Sequence, residues 1–218
     1  MSWSTGKDSA WSCFQLHQRP EYELSGLFCT INRKFARTAM HAVRLKLLEM
    51  QAAQLGMPLD ILEIPHPCSN DEYEAIMQDF VDVATNRGIE CFAFGDLYLE
   101  DIRDYRISKL QNSSITPVFP LWQQPTDKLA LEMIQGGLKA VITCVDPKQL
   151  SGDFAGRCYD QEFLDDLPAG VDPCGENGEF HSFVFDAPMF KERIAVSVGH
   201  KVERDGFIFV DVSPVKSV

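Results

Sequence analysis

Up to about residue 145 the chain alternates between short apolar runs and longer amphipathic stretches, and this alternation restricts its fold more than any other feature. Leu24–Ile31, Leu59–Ile64, Ile89–Phe94 and Ala140–Val145 are strand-length runs. Asp8–Gln18, Ala39–Leu55, Asn70–Arg87, Asp101–Leu110 and Thr126–Gln135 have the length and spacing of helices. Val43, Leu47, Met50 and Leu55 recur at roughly helical spacing, Gly56 and Gly88 stand where helices stop, and Thr126 is placed as an N-cap. Val118–Trp122 is a short extended piece bounded by prolines. Continuous apolar strands separated by helices predict βαβ units and a mostly parallel sheet, to which Ala140–Val145 is assigned.

After Asp146 the texture changes. Residues 147–178 are rich in Gly, Pro and Asp, with one helical stretch at Asp160–Leu167. His181–Phe185 and Ile194–His200 read as strands, and Val202–Val210 as a hairpin turning at Asp205–Gly206. The expected organisation is an α/β unit over residues 1–145 and a smaller C-terminal region over 146–218 that closes over it.

The 218 residues are 45% apolar and 24% charged, which is ordinary globular composition. No apolar run approaches the roughly 20 residues that span a bilayer. Met1–Ser9 has neither the charged nor the apolar region of a signal peptide, so a cytoplasmic protein is expected. A net charge of −12 without a Lys/Arg cluster argues against an electrostatic grip on nucleic acid. Seven cysteines without a C-x-x-C pair read as reduced thiols, with Cys29, Cys91 and Cys144 inside apolar runs. Trp3, Trp11 and Trp122 read as packing residues.

Two motifs carry chemistry. Ser4-Thr5-Gly6-Lys7-Asp8-Ser9 runs directly into a helix. A glycine lets backbone approach a phosphate, the helix start offers free N–H groups, and Ser4, Thr5, Ser9 and Lys7 add donors. A plain capping turn would look the same by residue type. The spacing is neither that of a Walker A loop nor that of a dinucleotide loop. The second motif is Cys174-Gly175-Glu176-Asn177-Gly178-Glu179-Phe180-His181. Its paired carboxylates, Glu176 and Glu179, could hold Mg²⁺ beside a triphosphate, bind an amine or act as a base. A solvated acidic turn is the alternative. Arg103 and Arg106, at i, i+3, could bind an acceptor or a phosphate oxygen, or pair with Glu100 and Asp104. His41 could touch a phosphate or stand on the surface, and Ser151–Arg157 has the composition of a lid or of an ordinary connection.

The first motif resembles the S-G-G-x-D-S signature of the PP-loop ATP pyrophosphatases (adenine nucleotide alpha hydrolase-like), with Thr5 replacing one glycine. Together with Arg44–Leu59, Gly95–Arg106 and Gly175–Val184, in that order, the chain resembles the diphthine–ammonia ligase family over almost its whole length. The resemblance implies a Rossmann-like α/β fold, a mostly parallel sheet with helices on both faces, plus a smaller C-terminal α+β region. It implies ATP and Mg²⁺ as cofactors, and amidation of an unidentified carboxylate through an acyl adenylate, with ammonia as candidate nitrogen donor and AMP and pyrophosphate as products. The implied nucleotide site is Ser4, Thr5, Gly6, Lys7, Asp8 and Ser9. Asp8, Glu176 and Glu179 are the implied catalytic residues, with Asp8 or Glu176 as the metal ligand. Arg103, Arg106, Gly175, Asn177 and His181 are left for the substrate, and a homodimer is compatible with this reading. Only Met1-Ser2-Trp3 precede the loop, so the strand that normally leads into it is expected to be truncated or lost from the sheet. A tRNA-modifying PP-loop enzyme and a non-catalytic ATP-binding module are the competing functions. The acidic charge and the lack of paired catalytic cysteines weigh against the former, and the Glu176/Glu179 loop against the latter.

Overall fold

The computed structural model describes residues 1–34, 37–38 and 43–215, so His41 lies outside the described residues. The chain is mixed α/β, with parallel strand pairs flanked by helices and a C-terminal antiparallel sheet. Strand β1 (Leu27–Asn32) pairs in parallel with β3 (Leu59–Ile64), and near its end antiparallel with the two-residue β2 (Arg37–Thr38). Strand β4 (Cys91–Ala93) pairs in parallel with β5 (Thr116–Val118).

Met1–Trp3 joins these two pieces. The Phe28 N–H donates to Met1 O (2.9 Å), the Trp3 N–H to Phe28 O (2.8 Å) and the Ser2 N–H to Ala93 O (2.9 Å). Three residues therefore link the two pieces through an isolated Ser2–Phe28 bridge, without forming a strand of either sheet. The N-terminal ammonium donates to Gly26 O, and burial pulls its pKa down to about 6.

Helices α1 (Lys7–His17), α3 (Asn70–Asn86), α4 (Glu100–Leu110) and α5 (Thr126–Gln135) fall where the periodicity places them, whereas α2 (Leu45–Leu55) starts after the expected Ala39, with Arg44 extended at its N-cap and Val43 outside the helix. Helix α2 ends in a left-handed Gly56 (φ 68°), the conformation that glycine reaches without strain. Helix α3 opens with a reciprocal capping box between Ser69 and Glu72. Thr126 does not cap α5: the N-cap is Pro125, and the Thr126 hydroxyl donates to Asp172 instead. The extended piece expected at 118–122 lies earlier, at β5, and the chain turns after it.

Strand β6 (Lys139–Val145) was expected in the parallel sheet at the end of the first unit. It is instead an interior strand of a four-stranded sheet ordered β7-β6-β9-β8, antiparallel to both neighbours, with β7 at Phe180–Asp186, β8 at Val196–Arg204 and β9 at Phe207–Pro214. Its apolar character reflects burial on both faces, which does not dictate strand direction. The predicted hairpin is present, with Asp205 (φ 54°) and Gly206 (φ 82°) at its tip. Short helix α6 (Gln161–Asp165) is capped by the Asp160 carboxylate on the Phe163 amide.

One continuous core joins both sheets, taking in Trp3, Ala10, Cys13 and Leu16 with Ile142, Phe180 and Val184. Gln51 crosses the seam and is fully buried. Its Oε1 accepts from the Trp3 indole N–H (2.8 Å), while its Nε2 donates to Thr5 O (3.1 Å) and Val184 O (2.6 Å). Replacing Gln51 with Leu strands the Trp3 indole N–H and removes the Gln51 donor from Val184 O, at about 1–3 kcal/mol each before relaxation, while Thr5 O keeps the Val184 N–H. The expected loss is about 3 kcal/mol or more, read as a lower urea midpoint. Gln54→Leu, which removes only an exposed acceptor of the Glu192 amide, should cost less than about 1 kcal/mol. Equal losses in the two variants would contradict the role assigned to Gln51.

Candidate functional site

The loop before α1 is built from its own hydroxyls. Ser9 Oγ donates to Gly6 O (3.0 Å) and lies 3.1 Å from Ser4 Oγ, and the Gly6 N–H donates to Ser4 Oγ (3.3 Å). Gly6 is the N-cap and has no side chain to cap the helix; Ser182 Oγ accepts from the Lys7 amide, and the dipole end points at the loop. Thr5 has φ 74°, a conformation costly for a β-branched residue and natural for the glycine of the resembled signature. Its carbonyl is fixed from two sides, by the Val184 N–H and by Gln51. Its buried Oγ1 has no hydrogen-bond partner among the described residues.

Gly95, just past β4, packs against the same turn. A Cβ there would stand 3.0 Å from the backbone carbon of Asp8 and from the Ser9 nitrogen, so only glycine fits unless the loop moves. In the sequence Gly95 opens the Gly95–Arg106 motif, and its signal there is a glycine closing an apolar strand.

Lys7 turns away from the loop. Its ammonium, only 3% exposed, sits 2.9 Å from both Asp8 carboxylate oxygens and donates to Cys174 O, between the rings of Phe180 (5.4 Å) and Tyr159 (5.7 Å). Burial opposes the charge, but Asp8 and Cys174 outweigh it and the pKa is raised. The Asp8 pKa is raised as well, by burial acting against the pull of Lys7. The Lys7 backbone N–H donates to Ser182 on β7.

The acidic loop is organised by Asp172, which lies just outside the Cys174–His181 motif. Its Oδ1 accepts from the amides of Cys174 (2.7 Å) and Glu176 (3.5 Å), and its Oδ2 from the hydroxyls of Thr126 (2.8 Å) and Tyr98 (3.3 Å). Glu179 is buried (2% exposed) and holds the same loop, accepting from the Asp172 N–H and the Asn177 side chain, both at 3.0 Å. Glu176 reaches across to the segment after β4, where its Oε1 accepts from the Leu97 amide (2.8 Å). Burial raises its pKa to about 7, with the negative charge of Asp8 adding to the rise against the Leu97 bond. Gly175 (φ 67°) runs against Phe180, and Gly178 (φ 84°) makes the turn.

These elements surround a cleft of about 690 Å³ at the carboxyl ends of β1 and β4. Ser4, Asp8, Ser9, Arg106, Gly175, Glu176, Asn177 and His181 line it; Thr5, Gly6 and Lys7 form the loop behind, and Arg103 and Glu179 do not reach it. Arg106 makes a two-pronged pair with Asp96 (2.5 and 3.0 Å) and stacks on Phe94. Arg103 lies over Trp122 (4.9 Å) and Phe119 (5.6 Å), so neither arginine pairs with Glu100 or Asp104. Of the tryptophans, Trp3 and Trp11 are buried, as expected of packing residues.

A hydroxyl-rich loop before α1 and an acidic loop face one cleft of an α/β protein, and comparison with known proteins gives the family. The model described as diphthamide synthase N-terminal domain matches residues 1–114, and that described as diphthamide synthase C-terminal domain matches residues 125–215. The chain belongs to the diphthamide synthase family. Among its relatives are proteins named diphthine–ammonia ligase from Homo sapiens and Bos taurus, each 29% identical over 164 residues, which cover 72% of this chain and 61% of the relative. A Schizosaccharomyces pombe protein of the same name is 34% identical over 88 residues, 38% of this chain and 14% of its own. The chain thus spans about three fifths of the length of its mammalian relatives. The family models meet between residues 114 and 125, ahead of β6, which is where the antiparallel sheet begins.

The raised Glu176 pKa has a consequence for stability. A carboxyl group of ordinary pKa near 4.5 when unfolded and about 7 when folded favours the native state while protonated. That contribution is complete below pH 4.5 and is lost as the pH rises through 7. Allowing for partial exposure, wild type should lose about 2 kcal/mol relative to Glu176→Gln between pH 4.5 and 7.5. Urea unfolding of both at the two pH values checks this, and parallel pH profiles would contradict it.

Proposed function

We propose that the chain is an ATP-dependent ligase that joins ammonia to a carboxylate through an acyl adenylate, releasing AMP and pyrophosphate. The observation that supports this most is that the Ser4–Ser9 loop at the start of α1 and the Glu176 carboxyl group face one cleft. The name of the relatives, diphthine–ammonia ligase, agrees with it, and a cytoplasmic setting and a Rossmann-like nucleotide fold belong to the same proposal.

ATP phosphates would lie on the loop, where Ser4, Ser9 and the first-turn amides donate to oxygens and the helix dipole favours negative charge. In the first step an acceptor carboxylate oxygen attacks the α-phosphorus, the α–β bond breaks and pyrophosphate leaves. In the second, ammonia attacks the acyl carbon, the bond to AMP breaks and one proton leaves the nitrogen. Glu176, with a pKa of about 7 and one oxygen not engaged by Leu97, is matched to take that proton. Glu179 acts at a distance, by holding the backbone that positions Glu176.

Among the described residues no group of three or more His, Cys, Asp and Glu is gathered to hold a metal. Mg²⁺ needs no such cage where phosphates complete its shell, and of the carboxylates lining the cleft Asp8 would hold it, with Glu176 next. It would supply charge neutralisation at the phosphates.

The proposal expects labelled ATP, ammonia and a competent acceptor to yield AMP and pyrophosphate; ADP and phosphate as main products would sink it. Gly6→Val and Ser9→Ala should each weaken ATP binding about tenfold, or about 1.4 kcal/mol, by calorimetry. Glu176→Gln should bind ATP almost normally and lose amide formation by about 10²–10⁴. A collapse of its ATP affinity with altered Mg²⁺ dependence would make Glu176 a metal ligand instead.

A further inference from the structure

Glu176 is carried on a loop that turns at two glycines of positive φ, Gly175 and Gly178, and its own side chain is long and flexible. A group mounted in this way keeps one position only if something outside the loop fixes it. Tyr98, which follows β4, supplies that contact twice. Its backbone N–H joins that of Leu97 on Glu176 Oε1, at 3.4 and 2.8 Å, so two successive amides grip one oxygen. Its side chain then turns back to the loop, where the hydroxyl shares its hydrogen between Asn177 Oδ1 (3.1 Å) and Asp172 Oδ2 (3.3 Å).

These contacts close a ring. Asn177 Nδ2 donates to Glu179 Oε1 (3.0 Å), the oxygen that also accepts from the Asp172 N–H (3.0 Å), and Asp172 leads back to Tyr98. Asn177 is used as acceptor on one side and as donor on the other, which leaves its amide a single satisfied orientation. Burial, with the charge of Asp172 next, pushes the Tyr98 phenol up to about 12, so the hydroxyl keeps the hydrogen it donates. Of the ring's members only Tyr98 lies outside the acidic segment, in contacts made across 74 and 79 residues. The Thr126 hydroxyl reaches the same Asp172 oxygen (2.8 Å) but makes no hydrogen bond to Glu176 or Asn177 among the described residues.

We propose that Tyr98 is a positioning residue for Glu176: its backbone holds the carboxyl group and its hydroxyl holds the loop that carries it, leaving Oε2 as the oxygen free to react. The purpose of this rests on the ligase reading, but the position is tested without it. In protein labelled with [15N]leucine the Leu97 amide resonance reports the bond to the carboxyl group, and Glu176→Gln marks where it moves when the carboxylate is absent. Tyr98→Phe keeps the ring and the backbone N–H and removes only the hydroxyl. It should carry the Leu97 resonance most of the way to the Glu176→Gln position and speed hydrogen exchange there about tenfold. Thr126→Val removes a hydroxyl from the same Asp172 oxygen and should leave the Leu97 resonance and its exchange at the wild-type values, even where it lowers the urea midpoint as much. An unmoved Leu97 resonance in Tyr98→Phe, or equal changes in the two variants, overturns the inference. The kinetic arm uses whichever of acetate, benzoate and glutamate best supports AMP formation with ammonium. Tyr98→Phe should lower kcat about tenfold, less than the ~10² that a misplacement of about 1 Å can cost. KM for ATP should stay at the wild-type value, because Tyr98 does not line the cleft. An unchanged kcat likewise overturns the inference. Wild type that forms no AMP with any of the three acids, while the Leu97 amide behaves as stated, would count against the ligase reading and leave the positioning role standing.

Discussion

The structure hangs on the carbonyl of Thr5. It receives the Val184 amide from the C-terminal sheet and the Gln51 side chain from α2, while Gln51 also binds Trp3 and Val184. Three parts of the chain, the N-terminal loop, α2 and β7, therefore meet on one peptide group at the phosphate-type loop. A buried amide of this kind is specific because each donor and acceptor is satisfied in only one arrangement. Holding Thr5 at positive φ costs of order 1–3 kcal/mol, and the surrounding bonds offset it.

The same seam sets the electrostatics of the cleft. Lys7 is drawn inward to neutralise Asp8 and to anchor the Cys174 carbonyl, so the acidic loop is fastened to α1 at its base. Asp172 and Glu179 then fix the turn of that loop, and Glu176 is carried across to Leu97. Glu176 is left partly buried without a cation of its own in contact, which is why burial outweighs the Leu97 bond and its pKa settles near neutrality. Position and protonation follow from the packing of two loops rather than from one residue's neighbours in sequence.

Much of this was legible in the sequence and some was not. Helix positions followed from apolar spacing, because burial of one face dictates a period. The hairpin at Asp205–Gly206 followed from turn chemistry, and the facing of the two loops from their motifs. The direction of β6 was not legible, since an apolar run says a strand is buried and nothing about its neighbours. Thr126 looked like a cap and is a ligand of Asp172, a contact made across 46 residues. Lys7 read as a phosphate donor because lysine is usually exposed, and only the tertiary structure shows the carboxylate and rings that accept it. The two glutamates read as equals, yet one lies in the cleft and the other beneath the loop, a difference that three positions of spacing could not reveal.

A crystal structure with α,β-methylene ATP tests the central claim most directly, that the Ser4–Ser9 turn and the Glu176 loop serve one ligand. The account predicts phosphate oxygens about 3 Å from the Ser4 and Ser9 hydroxyls and the first-turn amides of α1, with the α-phosphate on the side facing Glu176. A triphosphate seated instead in the hollow at the opposite ends of the strands, among Gly26, Pro58 and Asp60, would contradict it.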